Sequence, residues 1–584
     1  MRFILSQYLR TLKERDEFDR LLPDILLAMG YVPISRPQAG IRQYGVDFAA
    51  VGKSPKDGVQ ELLLCVIKQG DIGRSNWDSG PQAVRQSLDE IFDVYLKTHV
   101  EPGHKLLRKK VVLATTGDLK QDSQINWDGY SDRHSSLANF EFWGADQTAL
   151  HIEKYLLNEQ IFGPEDRADT RKALALSGDL DYDHRDLHRL LLRQLGLLEN
   201  GELLADLTRT RDLVKGLRAV SLSAQIFSRW SENEGNLKHA LIASERVMLW
   251  AWHRIQLEKP EDWRKYSKDY DELWRCYLAV AHRYLEKMKP HFLVEDGLSG
   301  YCRENTEFSL VVFEHIGLVA SIGLSHLMVT SDEETAQNYA GKAGECADAL
   351  VSLLKNNPVS GSPRFDGNVT DIVLGFLLLV FTNHFPEARD WLSELSVRLD
   401  YTLKLKRNFP ICTDSHEDLV ELVVFDNEEE RSRLMETSWL LPTLAGWAVI
   451  LKCFDLYQML ARSTKTEYPE VCLQLWHPTA SDTSKFLYFS QAQFDCGESE
   501  APIILPDKPV ALIDQMKTLL QSERHNVISS STAGRAGRVA IDLIGCRHFR
   551  TPVAPFFWYQ ILELANPDQF MKKGSSLKRV GKLP

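Results

Sequence analysis

Two spacings of apolar residues alternate over the first 160 positions. From Glu14 to Tyr31, Phe18, Leu21, Leu22, Ile25, Leu26 and Met29 recur at helical intervals and Gly30 supplies a stop, with Pro23 as the discordant residue. After a turn with Pro33, Pro37 and Gly40, Gly45-Val46-Asp47-Phe48-Ala49-Ala50 and Leu62 to Gln69 read as the strands of a hairpin with a long polar tip, Gly52 to Gly58. A helix is predicted from Gln82 to Leu96, with Val84, Leu88, Ile91, Phe92 and Tyr95 on one side. Val111 to Gly117 is a continuous apolar run closed by glycine, as in a buried strand, and Phe140 to Gly144 reads as one more strand before a helix carrying Leu150, Ile152, Tyr155 and Leu156. This order describes one α/β domain over residues 1–163.

The pattern then changes. Residues 164–183 are polar and charged and read as a linker. Residues 184–476 are helical almost throughout, with segments expected at 187–198, 203–230, 236–257, 263–288, 308–329, 332–354, 369–405 and 429–459, separated by Pro260, Pro290, Pro358 and Pro410. Ser331-Asp332-Glu333-Glu334 has the form of a capping box. No fixed period marks a named repeat, so the region reads as an irregular, solenoid-like helical array. Its tryptophans, Trp230 to Trp447, are expected to pack between helices, and Glu314-His315 to be a satisfied core pair. Residues 477–584 form a C-terminal segment with a helix at 509–520, a surface loop at Ser529 to Arg538 that lacks a phosphate-loop lysine, and a basic tail, Met571 to Lys582.

Composition narrows the function. The formal charge of -12 over 584 residues excludes a protein that coats nucleic acid over its whole surface, though not a local basic cleft. Nine scattered cysteines without a C-x-x-C pair argue against structural zinc and a disulfide framework, and the start of the chain is too weakly apolar for a signal peptide. A reducing cytoplasm is the expected location. The apolar stretches 308–329 and 439–454 are expected to be buried helices, because Glu314, His315 and Pro442 interrupt them.

Asp47 and Lys68 are the charges set into the two apolar runs of the hairpin, and a charge so placed needs a partner, a metal or a substrate. With Gly45-x-Asp47, Lys68 and Thr115-Thr116-Gly117 in this order of elements, the first 160 residues resemble the restriction-endonuclease-like fold of the PD-(D/E)XK nucleases, in its Mrr-like branch. The resemblance implies magnesium or manganese as cofactor, Asp47 as a metal ligand and Lys68 as the catalytic lysine. Phosphodiester hydrolysis calls for such a set, since a divalent ion polarises the phosphoryl oxygen and a lysine stabilises developing charge. The second ligand of that family stands two residues before the lysine, where this chain has Val66. Another acid must then reach the site. Gln82, Gln86 and Glu90 share a helix face, which makes Glu90 the first candidate for catalysis and metal binding, and Glu17 or Asp19 on the opening helix the second.

Phosphate contacts are expected from Lys53 and Lys56 at the hairpin tip, Arg74 in the following loop, and Lys105, Arg108, Lys109 and Lys110 before the third strand. Trp77 is expected to be a packed residue rather than a stacking wedge. Such nuclease domains fused to helical regions occur in bacterial restriction and phage defence. The resemblance therefore implies a DNA endonuclease held in check by its helical region, with DNA and a protein activator or second copy as partners and no membrane. The alternative is a nuclease fold that no longer cuts and serves as a nucleic-acid-binding scaffold.

Overall fold

The computed structural model describes residues 6–564 apart from 7–8, 11, 13, 15–17, 36–43, 80–82, 157–163, 205–209, 303–306, 328–332, 426, 479–486, 490–496, 501 and 522–530. The capping box around Ser331 and the basic tail lie outside the described residues. The contacts divide the chain into two compact units, one of residues 1–196 and 209–236, the other of 197–208 and 237–584.

The first unit is built on a five-stranded mixed sheet in the order β1 (Val32–Pro33), β2 (Phe48–Lys53), β3 (Gln60–Lys68), β4 (Arg108–Thr115), β5 (Asn139–Trp143). β1, β2 and β3 pair antiparallel, whereas β3, β4 and β5 run parallel. A parallel step requires a crossover, and the helical segments provide it: α2 (Arg74–Asp78) and α3 (Val84–Glu90) lie between β3 and β4, and α4 (Gln121–Arg133) between β4 and β5. α1 (Asp19–Ala28) precedes the sheet and accommodates Pro23, and α5 (Ala145–His151) follows it. The helix expected at 82–96 begins at Val84 and passes through a π turn at Ile91–Tyr95 before ending at Thr98.

The continuous apolar runs of β3 and β4 are explained by burial on both faces. Leu62, Leu64 and Val66 pack with Val111, Leu113, Val84 and Leu88 in one cluster, while Leu63, Cys65, Ile67 and Val112 on the alternate positions are equally buried. Trp77 closes this core edge-on to Trp127 and Tyr130 and is 2% exposed, as expected of a packing residue.

The segment read as a linker is helical: α6 (Pro164–Leu176) covers most of it. Its polar composition hid this, because the helix is docked by ion pairs. Asp166 and Asp169 face Arg189 and Arg193 of α7 (Arg185–Leu195), with Arg189 donating to Asp169 at 3.0 Å. α8 (Thr210–Asn233) also belongs to this unit.

The second unit is largely helical. Its centre includes α9 (Leu237–Gln256), α10 (Trp263–Phe292), α11 (Glu307–Leu327), α12 (Glu333–Asn356) and α13 (Val369–Phe381). Among the described residues α11 alone is long and apolar enough to cross a membrane, and 78% of its apolar window is buried inside the unit, where it packs as a core helix. His315 is satisfied by the Val311 carbonyl and the Tyr284 hydroxyl, and Glu314 accepts from Lys238 at 2.7 Å. Two expected long helices are broken. Residues 369–405 divide at Asn383, which adopts a positive φ of 65°, and 429–459 divides into Glu428–Leu434, Leu440–Ile450 and Phe454–Thr466.

The expected surface loop at Ser529 to Arg538 also differs from its reading where it is described. Ser531 is 1% exposed, caps a short helix at Thr532–Arg535 and donates to buried Asp542 at 2.8 Å. Each of the eight described cysteines is a free thiol.

Candidate functional site

Asp47 stands one residue before β2 and is fixed against the end of β3. Its backbone N–H donates to the Cys65 carbonyl at 2.9 Å, and its carboxylate oxygen Oδ2 accepts from the Ile67 N–H at 2.6 Å. This places the carboxylate beside the last residue of β3, Lys68. β2 runs antiparallel to β3, so the entry of one strand and the exit of the other share an edge of the sheet.

The glycine of Gly45-x-Asp47 has a physical role. Gly45 takes a φ of +80°, and a β-carbon there would stand 1.9 Å from the carbonyl oxygen of Ser87 on α3. The chain therefore passes directly over α3 as it enters β2. Lys68, on the same strand face as Val66, reaches the same point of α3 and donates from Nζ to Ser87 Oγ at 3.2 Å.

The Asp47 carboxyl is raised to about 6, chiefly by burial; the Ile67 amide and the Lys68 ammonium oppose the rise, and Glu14 and Asp19 add to it. Two further acids of the N-terminal segment thus bear on the carboxylate beside Lys68. Asp19 was a sequence candidate; Glu14 was not, being one acid among many in a charged stretch, and Glu17 lies outside the described residues.

Glu90, on the same helix as Ser87, lines a surface concavity of about 370 Å³ with Asp78, Arg85, Gln86, Asp89 and Asp93. Val66 is 0% exposed inside the apolar core. Among the described residues no group of three His, Cys, Asp or Glu side chains converges as a complete metal-binding set. That is compatible with magnesium, which keeps several waters and takes one or two carboxylates together with substrate phosphate. Asp47 would supply one carboxylate of so small a donor set, and Asp19 or Glu14, whose like charges bear on it, would be the second.

Thr115-Thr116-Gly117 closes the neighbouring strand. Thr115 Oγ1 donates to the Gly70 carbonyl at 2.5 Å, and the Gly70 N–H donates to Thr116 Oγ1 at 2.9 Å. A β-carbon at Gly117 would stand 2.4 Å from Gly70 carbonyl carbon, so the glycine permits this clasp. The motif holds the loop that follows Lys68.

The basic residues divide into two sets. Arg108 pairs with Asp57 and, at 2.7 Å, with Glu61; Lys110 is buried against Glu141 at 3.0 Å and Glu61 at 3.7 Å; Lys56 donates to Glu141 at 3.0 Å. These three are paired with Asp57 of the hairpin tip and with two acids of the sheet, Glu61 and Glu141, that sequence reading passed over. Lys53, Arg74 and Lys105 are exposed, and Lys109 donates to the Lys105 carbonyl.

No protein family profile matches the chain, and no solved structure matches it. A stretch of 69 residues is 35% identical to 2-succinyl-5-enolpyruvyl-6-hydroxy-3-cyclohexene-1-carboxylate synthase of Listeria innocua serovar 6a, covering 11% of this chain and 12% of that enzyme. The chain thus spans about an eighth of the length of that relative, too little to transfer a whole enzyme's activity.

Proposed function

We propose that the sheet edge at Asp47 and Lys68 is a metal-dependent phosphodiesterase site acting on DNA. The observation that carries this reading is the placement of a half-buried carboxylate, raised to about 6, beside a strand-end lysine and under the field of two more acids. A magnesium or manganese ion held there would supply Lewis-acid polarisation of the scissile phosphoryl group and would activate the attacking water. Asp47 would hold it with Asp19 or Glu14. The residues' own parts follow from their positions. The Ile67 amide orients the Asp47 carboxylate, and the Lys68 ammonium, with donors beyond the one given to Ser87, stabilises negative charge developing on a phosphate oxygen. Lys53, Arg74, Lys105 and Lys109 would bind the nucleic-acid backbone without reading bases.

In biological terms, this reading takes the chain as a cytoplasmic effector of a bacterial restriction or anti-phage system, its helical unit receiving the activating partner or a second copy. That setting rests on the resemblance of residues 1–163. A second reading is a nuclease fold that has become a scaffold; it is favoured by the buried Val66 and by the internal pairing of Lys56, Arg108 and Lys110.

The test is cleavage of supercoiled plasmid and linear duplex by the full chain with magnesium, with manganese and with chelator. Cleavage that depends on metal and disappears in Asp47→Ala supports hydrolysis. Cleavage equal in the variant, or independent of metal, contradicts it, and duplex binding without cleavage in any metal selects the scaffold.

A further inference from the structure

We propose that Ser87 is a positioning residue that sets the Lys68 ammonium beside the Asp47 carboxylate. The inference rests on the reading of Asp47 and Lys68 as the hydrolytic pair and adds to it a third residue, on a different element.

The hydroxyl of Ser87 has a single proton, and its Oγ donates to the Ala83 carbonyl one turn earlier, at 3.2 Å. With that proton committed, the oxygen presents lone pairs to Lys68 Nζ, the partner it needs being a donor. A serine bonded only to its own helix would have no bearing on the strand. Here the helix is also held in register with the strand: Ser87 lies under Gly45, whose missing β-carbon lets the chain approach Ser87 O closely, two residues before Asp47. One turn of α3 therefore contacts both β3, which carries Lys68, and the segment leading into β2, which carries Asp47. A flexible four-carbon side chain gains direction from a fixed acceptor, and a lysine so directed keeps its remaining donors for a substrate oxygen.

The test compares wild type, Ser87→Ala and Ser87→Thr in two assays. In metal-dependent duplex cleavage, Ser87→Ala is expected to lower kcat about tenfold with KM little changed, and Ser87→Thr, which keeps a hydroxyl able to bond one turn back, to recover much of the loss. In trace labelling of native protein with acetic anhydride, read lysine by lysine by mass spectrometry, loss of the acceptor is expected to raise modification of Lys68 about threefold in Ser87→Ala and not in Ser87→Thr, with Lys53 as internal reference. Unchanged labelling of Lys68 together with unchanged kcat overturns the positioning role while leaving the hydrolytic reading in place. A wild type that does not cut but shows the labelling change in Ser87→Ala overturns hydrolysis and supports the Ser87–Lys68 contact. An inactive wild type without the labelling change overturns both. Ser87→Thr separates these outcomes from a general loss of folding.

Discussion

The sheet edge of the first unit and the core of the second both hold charges away from water, and they treat them differently. In the helical unit, Glu245 on α9 is 0% exposed and accepts from Arg547 and, at 3.1 Å, from His548, while Arg547 also donates to Ser321 at 3.1 Å. Arg550 grips Asp371 through two contacts, 2.9 and 3.1 Å, and Asp366 collects the Ser438 hydroxyl and two backbone N–H groups at the start of a helix. Burial beside Arg246 and Arg547 holds His548 well below its ordinary pKa and keeps it neutral. Each carboxylate there meets opposite charge or aligned donors, as a structural network requires. At the sheet edge, Asp47 has an amide and a lysine on one side and two like charges on the other. On the proposed function, the charges of the core hold the fold together while Asp47 receives a ligand.

The largest effect that sharpens this contrast belongs to the core network. Arg547→Ala leaves Glu245 buried with its main cation gone and is expected to destabilise the helical unit by about 3–5 kcal/mol, read by denaturant unfolding. A loss under about 1 kcal/mol would break the comparison, since the network would then not be holding the core. Next comes Asp47→Ala, expected to reduce metal-dependent cleavage by at least about 100-fold without lowering the unfolding midpoint, and Lys68→Ala, expected to behave alike. An equal loss of stability and activity would place Asp47 with the structural charges.

A smaller effect tests the sign of the electrostatics. Asp47 binds its proton more tightly folded than unfolded, so its contribution to stability falls as pH rises from its ordinary 3.8 through about 6 and stays unfavourable above. Asp47→Asn is therefore expected to stabilise the first unit by on the order of 1 kcal/mol at pH 7, the two unfolding curves converging below pH about 4. The smallest effects concern the basic surface. Arg74→Ala or Lys105→Ala is expected to weaken duplex binding a few-fold and reduce the salt slope by about 1 each, measured by fluorescence anisotropy across salt concentrations. Lys56→Ala, already neutralised by Glu141, is expected to change neither.

Much of the first unit was legible in the chain because its signals are local. Leu62 to Ile67 and Val111 to Ala114 are unbroken apolar runs, and all ten residues are buried in paired strands. Asp47 and Lys68 stood out as charges in such runs. What could not be read depends on tertiary partners. α6 has the composition of a linker and is helical because Arg189 and Arg193 anchor it. At 369–405 the break was announced and passed over: Asn383 ends one helix at a positive φ and Pro386 stands in the first turn of the next. Ser87 carried no signal, since a serine on an amphipathic helix is unremarkable until Lys68 and Gly45 are seen to converge on it.

The most direct test of the sheet edge as a site is manganese binding, followed by the paramagnetic signal of the free ion, for wild type and Asp47→Asn in the presence of a phosphorothioate duplex. One ion bound by the wild type, weakening as pH falls through about 6 and lost in the variant, is the expected result. Equal binding by both proteins, or none by the wild type, would contradict the assignment of Asp47 as a metal ligand.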